Sequence, residues 1–141
     1  MAGLPEPAPG LVIRYSYLWR REARRGLAEG AKDRPCVVVL AVQDSIGGRV
    51  VTVAPITHTP PLAPEDAVEL PTTTKARLGL DDARSWILAT EVNQFAWPGP
   101  DLRPAVAGRW AFGFIPGGLL RALRTRMATH RKLTVTSRDE S

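Results

Sequence analysis

Short apolar runs separated by turn residues make up most of this chain. Apolar and polar positions alternate through residues 11–17, and a period of two predicts a half-buried strand. Residues 36–42 form a continuous Val-rich run, which is typical of a strand buried on both faces. A Gly-bearing turn at 46–48 leads into a second apolar run at 49–56. The two runs therefore predict a β-hairpin.

The remaining pattern predicts further short elements. They are a strand at 67–70, a helical turn at 75–78 closed by Gly79, one bent strand or two short ones across 85–97, a strand at 110–115, and a helix that begins after Pro116. In that last helix, Leu119, Leu120, Leu123 and Met127 fall on one face. Five to seven short strands and one amphipathic helix predict a mainly β fold, a small curled β-barrel with a C-terminal α-helix.

The length of 141 residues predicts one domain with a single core. We expect a flexible N-terminal segment at 1–9, which is rich in proline, the folded domain at 10–130, and a flexible C-terminal tail at 131–141, which is polar and charged.

Positive charge is concentrated in the segment that follows the first predicted strand. The net charge is +5, and residues 14–34 carry seven positive and three negative side chains. We interpret residues 19–33 as a long basic excursion, with a helical turn near 20–25 before Gly26 and Gly30. Such a balance suits a polyanionic partner, nucleic acid or acidic protein, and a solvated basic face is the open alternative.

Several classes of function are disfavoured by composition. Cys36 is the only cysteine and lies in an apolar run, so we interpret it as a buried hydrophobe, and no intramolecular disulfide is possible. Two histidines and no acidic pair at ligand spacing make a metal site improbable, and no cofactor is expected. No run approaches the roughly 18 apolar residues of a membrane span, so a cytoplasmic protein is the default expectation.

Two polar side chains stand at the rims of the predicted hairpin strands. Arg34 precedes the first apolar run, and Thr57 follows the second. Both side chains can bind phosphate, and a small barrel would build a site at this rim.

The order of motifs resembles the MazF/PemK family of toxin endoribonucleases, or mRNA interferases, over residues 10–127. The matching motifs are GLVI at 10–13, Glu29 before RPCVVVL at 34–40, VAPIT at 53–57, VELP at 68–71, WILATEV at 86–92, Ala96-Trp97, and the helix from Leu119 to Met127. The resemblance implies an SH3-like barrel, a homodimer, and a cognate acidic antitoxin that wraps the active groove. It also implies metal-independent, sequence-selective cleavage of single-stranded RNA, leaving a 2′,3′-cyclic phosphate.

The resemblance also suggests roles for individual residues. Arg34 aligns with the key arginine of the family and would neutralise the phosphate, a role that suits its planar fork; pairing with Asp33 or Glu29 is the structural alternative. Thr57 aligns with the family threonine, although a threonine at a turn also bonds nearby backbone. Glu29 aligns with a glutamate suggested as the base. His58 departs from the pattern and is suited to replace or assist Glu29 as base or acid.

Three further residues are candidates for lining an RNA groove: Arg14, Lys32 and Gln94. The segment 19–28 is longer and more basic than the corresponding loop of the family, which bears on RNA specificity and antitoxin fit.

Two other functions stay open. A toxin class related to this family binds and poisons DNA gyrase without cutting RNA, and fold alone does not decide between the two. The other is a degenerate relative that serves as a basic interaction domain.

Overall fold

The computed structural model describes residues 3–27, 32–106, 108–130 and 133–138. Within these ranges the chain forms nine strands and three α-helices. In chain order they are β1 (Leu11–Tyr15), α1 (Arg20–Arg24), β2 (Arg34–Gln43), β3 (Arg49–Thr57), β4 (Ala67–Glu69), α2 (Thr72–Leu78), β5 (Trp86–Leu88), β6 (Glu91–Ala96), β7 (Leu102–Arg103), β8 (Ala111–Phe114), α3 (Gly117–Thr129) and β9 (Thr134–Ser137). The prediction of a mainly β fold with a helix near the C-terminus is confirmed.

Strands β2 and β3 form the predicted antiparallel hairpin, with Cys36 opposite Pro55 and Gln43 opposite Arg49. The turn closes on Asp44, whose Oδ1 accepts hydrogen bonds from the backbone N–H groups of Ile46 at 3.0 Å and Gly48 at 2.8 Å. An aspartate that bonds the backbone two residues ahead stabilises such a turn without help from the core.

Strand β3 pairs with β2 along one edge, while two different strands share its other edge. Its first half pairs with β6, and its last two residues, Ile56 and Thr57, pair with β5. Strand β1 likewise pairs with β2 along one edge, and its other edge pairs with β8 at the beginning of the strand and with β7 at its end. The end of β3 therefore lies between β2 and β5, which fixes the backbone on both sides of Thr57.

Two hydrophobic clusters cover opposite faces of β1, β2 and β3. One contains Val12, Val37 and Ala54 and packs against α3 through Leu123. The other contains the intervening residues of the same strands, together with Phe95 of β6. Burial on both faces is confirmed for residues 36–39. It is wrong for the rest of the run, because Leu40 and Val42 lie near the hairpin turn and are about half exposed.

The structure differs from the sequence prediction at β1, which was expected to be half buried. Val12 and Ile13 point to opposite faces of the sheet, and both are fully buried. Arg14 is the exposed residue of this strand. The alternation of residue types therefore identified the strand correctly but understated its burial.

The helices agree with the prediction. Helix α3 buries Leu123, and Leu119, Leu120 and Met127 pack against the same cluster. Helix α2 is longer than the predicted turn and ends at Gly79, whose φ of 75° is a left-handed conformation that favours glycine. None of the described helices is long and apolar enough to span a membrane.

Strands β7 and β9 were not predicted. Strand β9 pairs in parallel with β6, with Glu91 opposite Thr134 and Gln94 opposite Ser137. Residues 134–137 are therefore part of the sheet and not of the tail expected at 131–141. At the other end of the chain, Pro7 is buried and the Gly10 N–H donates to the carbonyl of Val38 at 2.7 Å.

Candidate functional site

The register of the hairpin brings Arg34 and Thr57 together. Cys36 lies opposite Pro55, and the same register two residues further along places Arg34 opposite Thr57. Opposite residues of an antiparallel pair point to the same face of the sheet. The Arg34 side chain approaches the end of β3, where its Nη1 donates to the carbonyl of Ile56 at 3.5 Å.

A cleft of about 380 Å³ opens at this rim. Four of the sequence-predicted site residues line it: Lys32, Arg34, Thr57 and His58. The proline-rich segment that follows β3 forms another side, with Pro60, Pro61 and Leu62. A cleft of this size, with convergent polar groups over an apolar floor, is the usual form of a binding site.

Arg14 and Gln94 are not among the described residues that line the cleft. Arg14 neighbours Tyr15 in β1, and Tyr15 lies opposite Arg34, so Arg14 points to the other face of the sheet. Gln94 lies opposite Thr52, five residues from Thr57 along β3, which is about 16 Å at the rise of a strand. Glu29 lies outside the described residues.

Arg34 forms one wall of the cleft together with Trp19 and Arg21, which we call the arginine wall. The Arg34 guanidinium lies 4.8 Å from the centre of the Trp19 ring, and that of Arg21 lies 5.2 Å from it. The indole is therefore in cation–π contact with two positive charges. Trp19 is itself held by a hydrogen bond from its backbone N–H to the Glu22 carboxylate at 3.0 Å.

Arg34 makes no salt bridge with any described residue. Asp33, the neighbouring carboxylate, lies instead 3.7 Å from Arg103. The Arg34 Nε is buried and has no hydrogen-bond partner among the described groups. Its charge is thus balanced by the Trp19 ring and one backbone carbonyl, not by an anion. The alternative of pairing with Asp33 is wrong.

Thr57 is buried and takes part in a local turn. Its Oγ1 accepts a hydrogen bond from the backbone N–H of Thr59 at 3.1 Å. This is the turn role that the sequence left open. A hydroxyl that accepts one hydrogen bond can still donate its own hydrogen, so Thr57 retains the capacity to bond a phosphate oxygen.

His58 also lines a neighbouring depression of about 200 Å³, together with Lys75, Asp81 and Ser85. We call these four residues the histidine wall. The imidazole Nε2 lies 2.9 Å from Asp81 Oδ2. The Nδ1 lies 2.9 Å from the carbonyl of Arg84 and 3.1 Å from Ser85 Oγ. The neutral ring can donate to Asp81 and accept from the Ser85 hydroxyl, while the doubly protonated ring can donate to Asp81 and to the carbonyl. His58 therefore has hydrogen-bond partners in both protonation states.

Lys75 supports this wall from inside the protein. It is 4% exposed, and its Nζ donates to Asp81 Oδ1 at 2.8 Å, to Ser85 Oγ at 2.6 Å and to the carbonyl of Ala83. The hydrogen bond from Lys75, aided by the charge of His58, holds the pKa of the Asp81 carboxyl below its usual range. Asp81 therefore remains ionised at neutral pH.

Cys36 has no role in this chemistry. Burial raises the pKa of its thiol, and the side chain is fully enclosed. Among the described residues, no group of three or more His, Cys, Asp or Glu side chains could hold a metal ion.

The sequence reasoning missed most of the two walls. Trp19 and Arg21 lie in the basic excursion, where no periodicity marks a site. Lys75, Asp81 and Ser85 lie in α2 and the loop that follows it, and only folding brings them to His58. The surrounding sequence, TTTKARL at 72–78, contains no pattern that points to them.

Comparisons of the chain with protein-family models, with curated proteins and with solved structures found no match.

Proposed function

We propose that this protein is a metal-independent endoribonuclease of the MazF/PemK type, a toxin of a type II toxin–antitoxin system that cleaves single-stranded RNA. The observation that carries the proposal is the meeting of Arg34, Thr57 and His58 in one cleft. An unneutralised guanidinium, a hydroxyl and a titratable imidazole match the needs of phosphodiester cleavage.

The proposal includes an SH3-like barrel as the scaffold. Support comes from the short strands, from the two different partners along one edge of both β1 and β3, and from α3 against one hydrophobic cluster. A homodimer in the cytoplasm and an acidic antitoxin partner belong to the same proposal. They rest on the sequence resemblance.

The proposed reaction is a transphosphorylation. The ribose 2′-oxygen attacks phosphorus and loses its proton to a base, while the bond from phosphorus to the 5′-oxygen breaks and that oxygen gains a proton. The products are a 2′,3′-cyclic phosphate and a 5′-hydroxyl, with no oxidant or other co-reactant. Arg34 stabilises the charge that develops on the phosphate, and Thr57 donates to a non-bridging oxygen.

His58 is the described group that we assign to proton transfer. Its Nε2 faces Asp81, and both side chains are more than half exposed, so a substrate hydroxyl can take the position of the carboxylate. In the tautomer that can act as a base, Nδ1–H donates to the carbonyl of Arg84 and orients the ring, and the lone pair on Nε2 is left for the substrate proton. Glu29 is the alternative base that the resemblance suggests.

The test is incubation of the purified protein with long single-stranded RNA in excess EDTA, with the fragment ends mapped. We expect discrete cuts for the parent protein and at least a ~100-fold lower rate for Arg34→Ala, as for removal of a donor to a developing oxyanion. Arg121→Ala, at an exposed position of α3, is the matched control and should cut like the parent. Equal cleavage by Arg34→Ala would overturn the site assignment.

A second candidate function, binding and poisoning DNA gyrase without RNA cleavage, is favoured by a different observation. Thr57 and both ring nitrogens of His58 already have hydrogen-bond partners within the protein. Side chains whose hydrogen bonds are already made within the protein suit a rigid surface for binding another protein. Inhibition of gyrase supercoiling together with intact RNA would select this function.

A further inference from the structure

The connection between β1 and β2 carries arginines that the proposed reaction does not use. In helix α1 and its C-terminal cap, Arg20, Arg21, Arg24 and Arg25 surround Glu91 in a second depression, of about 470 Å³. Arg21 also lines the cleft that contains Arg34. The two depressions therefore share a wall and form one continuous basic surface.

The connection is held in place by polar contacts with β6, of which the two made by Asn93 are buried. The side-chain oxygen of Asn93 accepts from the backbone N–H of Leu18 at 2.8 Å, and its amide donates to the carbonyl of the same residue at 2.8 Å. Asn93 is fully buried. The Glu91 carboxylate accepts hydrogen bonds from the Tyr17 hydroxyl at 3.0 Å and from the backbone N–H of Arg20 at 3.1 Å. Because α1 follows directly, its arginines start from a fixed point beside the cleft.

The described residues leave most of the positive charge on this surface without a neutralising carboxylate. Arg24 and Arg25 are exposed and form no salt bridge with a described residue. Glu22, the acidic residue of α1, is buried and binds the backbone of Trp19. Glu91 faces four arginines while it accepts two other hydrogen bonds. A ligand with several negative charges is the natural complement of such a surface.

We propose that the arginines of this connection form a phosphate track that guides single-stranded RNA to and from the cleft. This inference rests on the proposed function, which supplies the scissile phosphate at Arg34. Arg21 links the track to that phosphate, and Arg24 and Arg25 bind phosphates further along the strand. Planar guanidinium groups bind phosphate through paired donors and also stack on unpaired bases, a combination that suits RNA better than an acidic peptide.

The test uses a fluorescent single-stranded oligonucleotide with 2′-O-methyl groups throughout, which binds but cannot be cleaved. Anisotropy titrations at several salt concentrations compare the parent with Arg24→Gln/Arg25→Gln. Loss of two phosphate contacts should weaken binding about tenfold near 0.1 M salt and reduce the slope of log affinity against log salt by about 1.4. The matched control is Arg109→Gln/Arg121→Gln, which removes the same charge from exposed positions elsewhere and should bind like the parent.

If both double variants lose oligonucleotide affinity equally, the phosphate-track proposal is wrong, because the net charge of the protein then explains the binding. An unchanged Arg24→Gln/Arg25→Gln variant would also overturn it. If that variant loses binding of polyglutamate but keeps binding of the oligonucleotide, the surface serves an acidic protein and the RNA track is wrong. Tight, track-dependent binding by a protein that never cuts native RNA would instead reject the nuclease and keep the track.

Discussion

The arginine wall and the histidine wall, which meet where His58 enters the cleft, hold their charged groups by different means. In the arginine wall, Trp19 lies against the guanidinium groups of Arg21 and Arg34, and Arg34 has no anionic partner among the described residues. In the histidine wall, Lys75, Asp81 and His58 neutralise and hydrogen-bond one another. The positive charge of the arginine wall is thus available to an anionic ligand. The charged groups of the histidine wall already pair with one another.

This difference assigns a different task to each wall. A cation held against an aromatic ring keeps most of its field for an incoming anion, because the ring is not itself charged. A lysine, a carboxylate and an imidazole that bond one another fix each other's positions instead. We therefore assign phosphate binding to the arginine wall and orientation of His58 to the histidine wall.

The largest expected effect comes from breaking the arginine wall at Trp19. Trp19→Ala removes a buried ring that contacts two guanidinium groups and should lower the free energy of unfolding by about 3 kcal/mol. Trp19→Phe keeps an aromatic face and should lose less than half of that. Urea denaturation of both variants checks the comparison. An equal loss for the two would mean that volume, and not the aromatic face, supports the arginines.

A smaller effect is expected from breaking the histidine wall at Lys75. Lys75→Met keeps the length of the buried side chain but removes the lysine that donates to Ser85 Oγ and to Asp81 Oδ1. We expect a loss of about 2 kcal/mol in the free energy of unfolding. Arg77→Met, at an exposed position of the same helix, should change it by less than about 1 kcal/mol. If Lys75→Met is as stable as the parent in urea, the network is not a structural support.

The smallest effect is a pH dependence at Asp81. Because the folded-state pKa of this carboxyl is lowered, its ionised form stabilises the fold above the usual aspartate pKa of about 3.9. That contribution disappears as the pH falls through the folded-state value. Thermal unfolding of Asp81→Asn should therefore occur slightly below that of the parent at pH 7, and the two melting temperatures should converge towards pH 3. A gap that is as large at pH 3 as at pH 7 would show that the substitution acts through packing.

Much of the fold follows from the hydrophobic pattern. The β2–β3 hairpin and helix α3 were predictable because each buries a continuous or periodic apolar face. Strands β7 and β9 were not predictable. Strand β7 has only two residues, and β9 is a largely polar segment that joins the sheet through backbone hydrogen bonds to β6. Backbone hydrogen bonds carry no signature in the identity of the residues.

The site was predictable only where it depends on the hairpin. Arg34 and Thr57 flank two runs that pair in antiparallel register, so their meeting follows from the hairpin itself. Arg14 does not line this cleft, because it precedes by one position Tyr15, the residue that shares the face of Arg34. The contacts of His58 depend on how the loop after α2 folds back, which no local pattern encodes.

The central claim is that the arginine wall binds phosphate and the histidine wall does not. The most direct measurement is an NMR titration with the 2′-O-methyl oligonucleotide, following the Arg34 Nε–H and Trp19 indole signals beside the ring signals of His58. We predict that the Arg34 and Trp19 signals shift with the binding curve, while Arg34→Lys, which keeps the charge but loses the fork, binds more weakly. Shifts confined to His58, with Arg34 and Trp19 unmoved at saturation, would contradict the account.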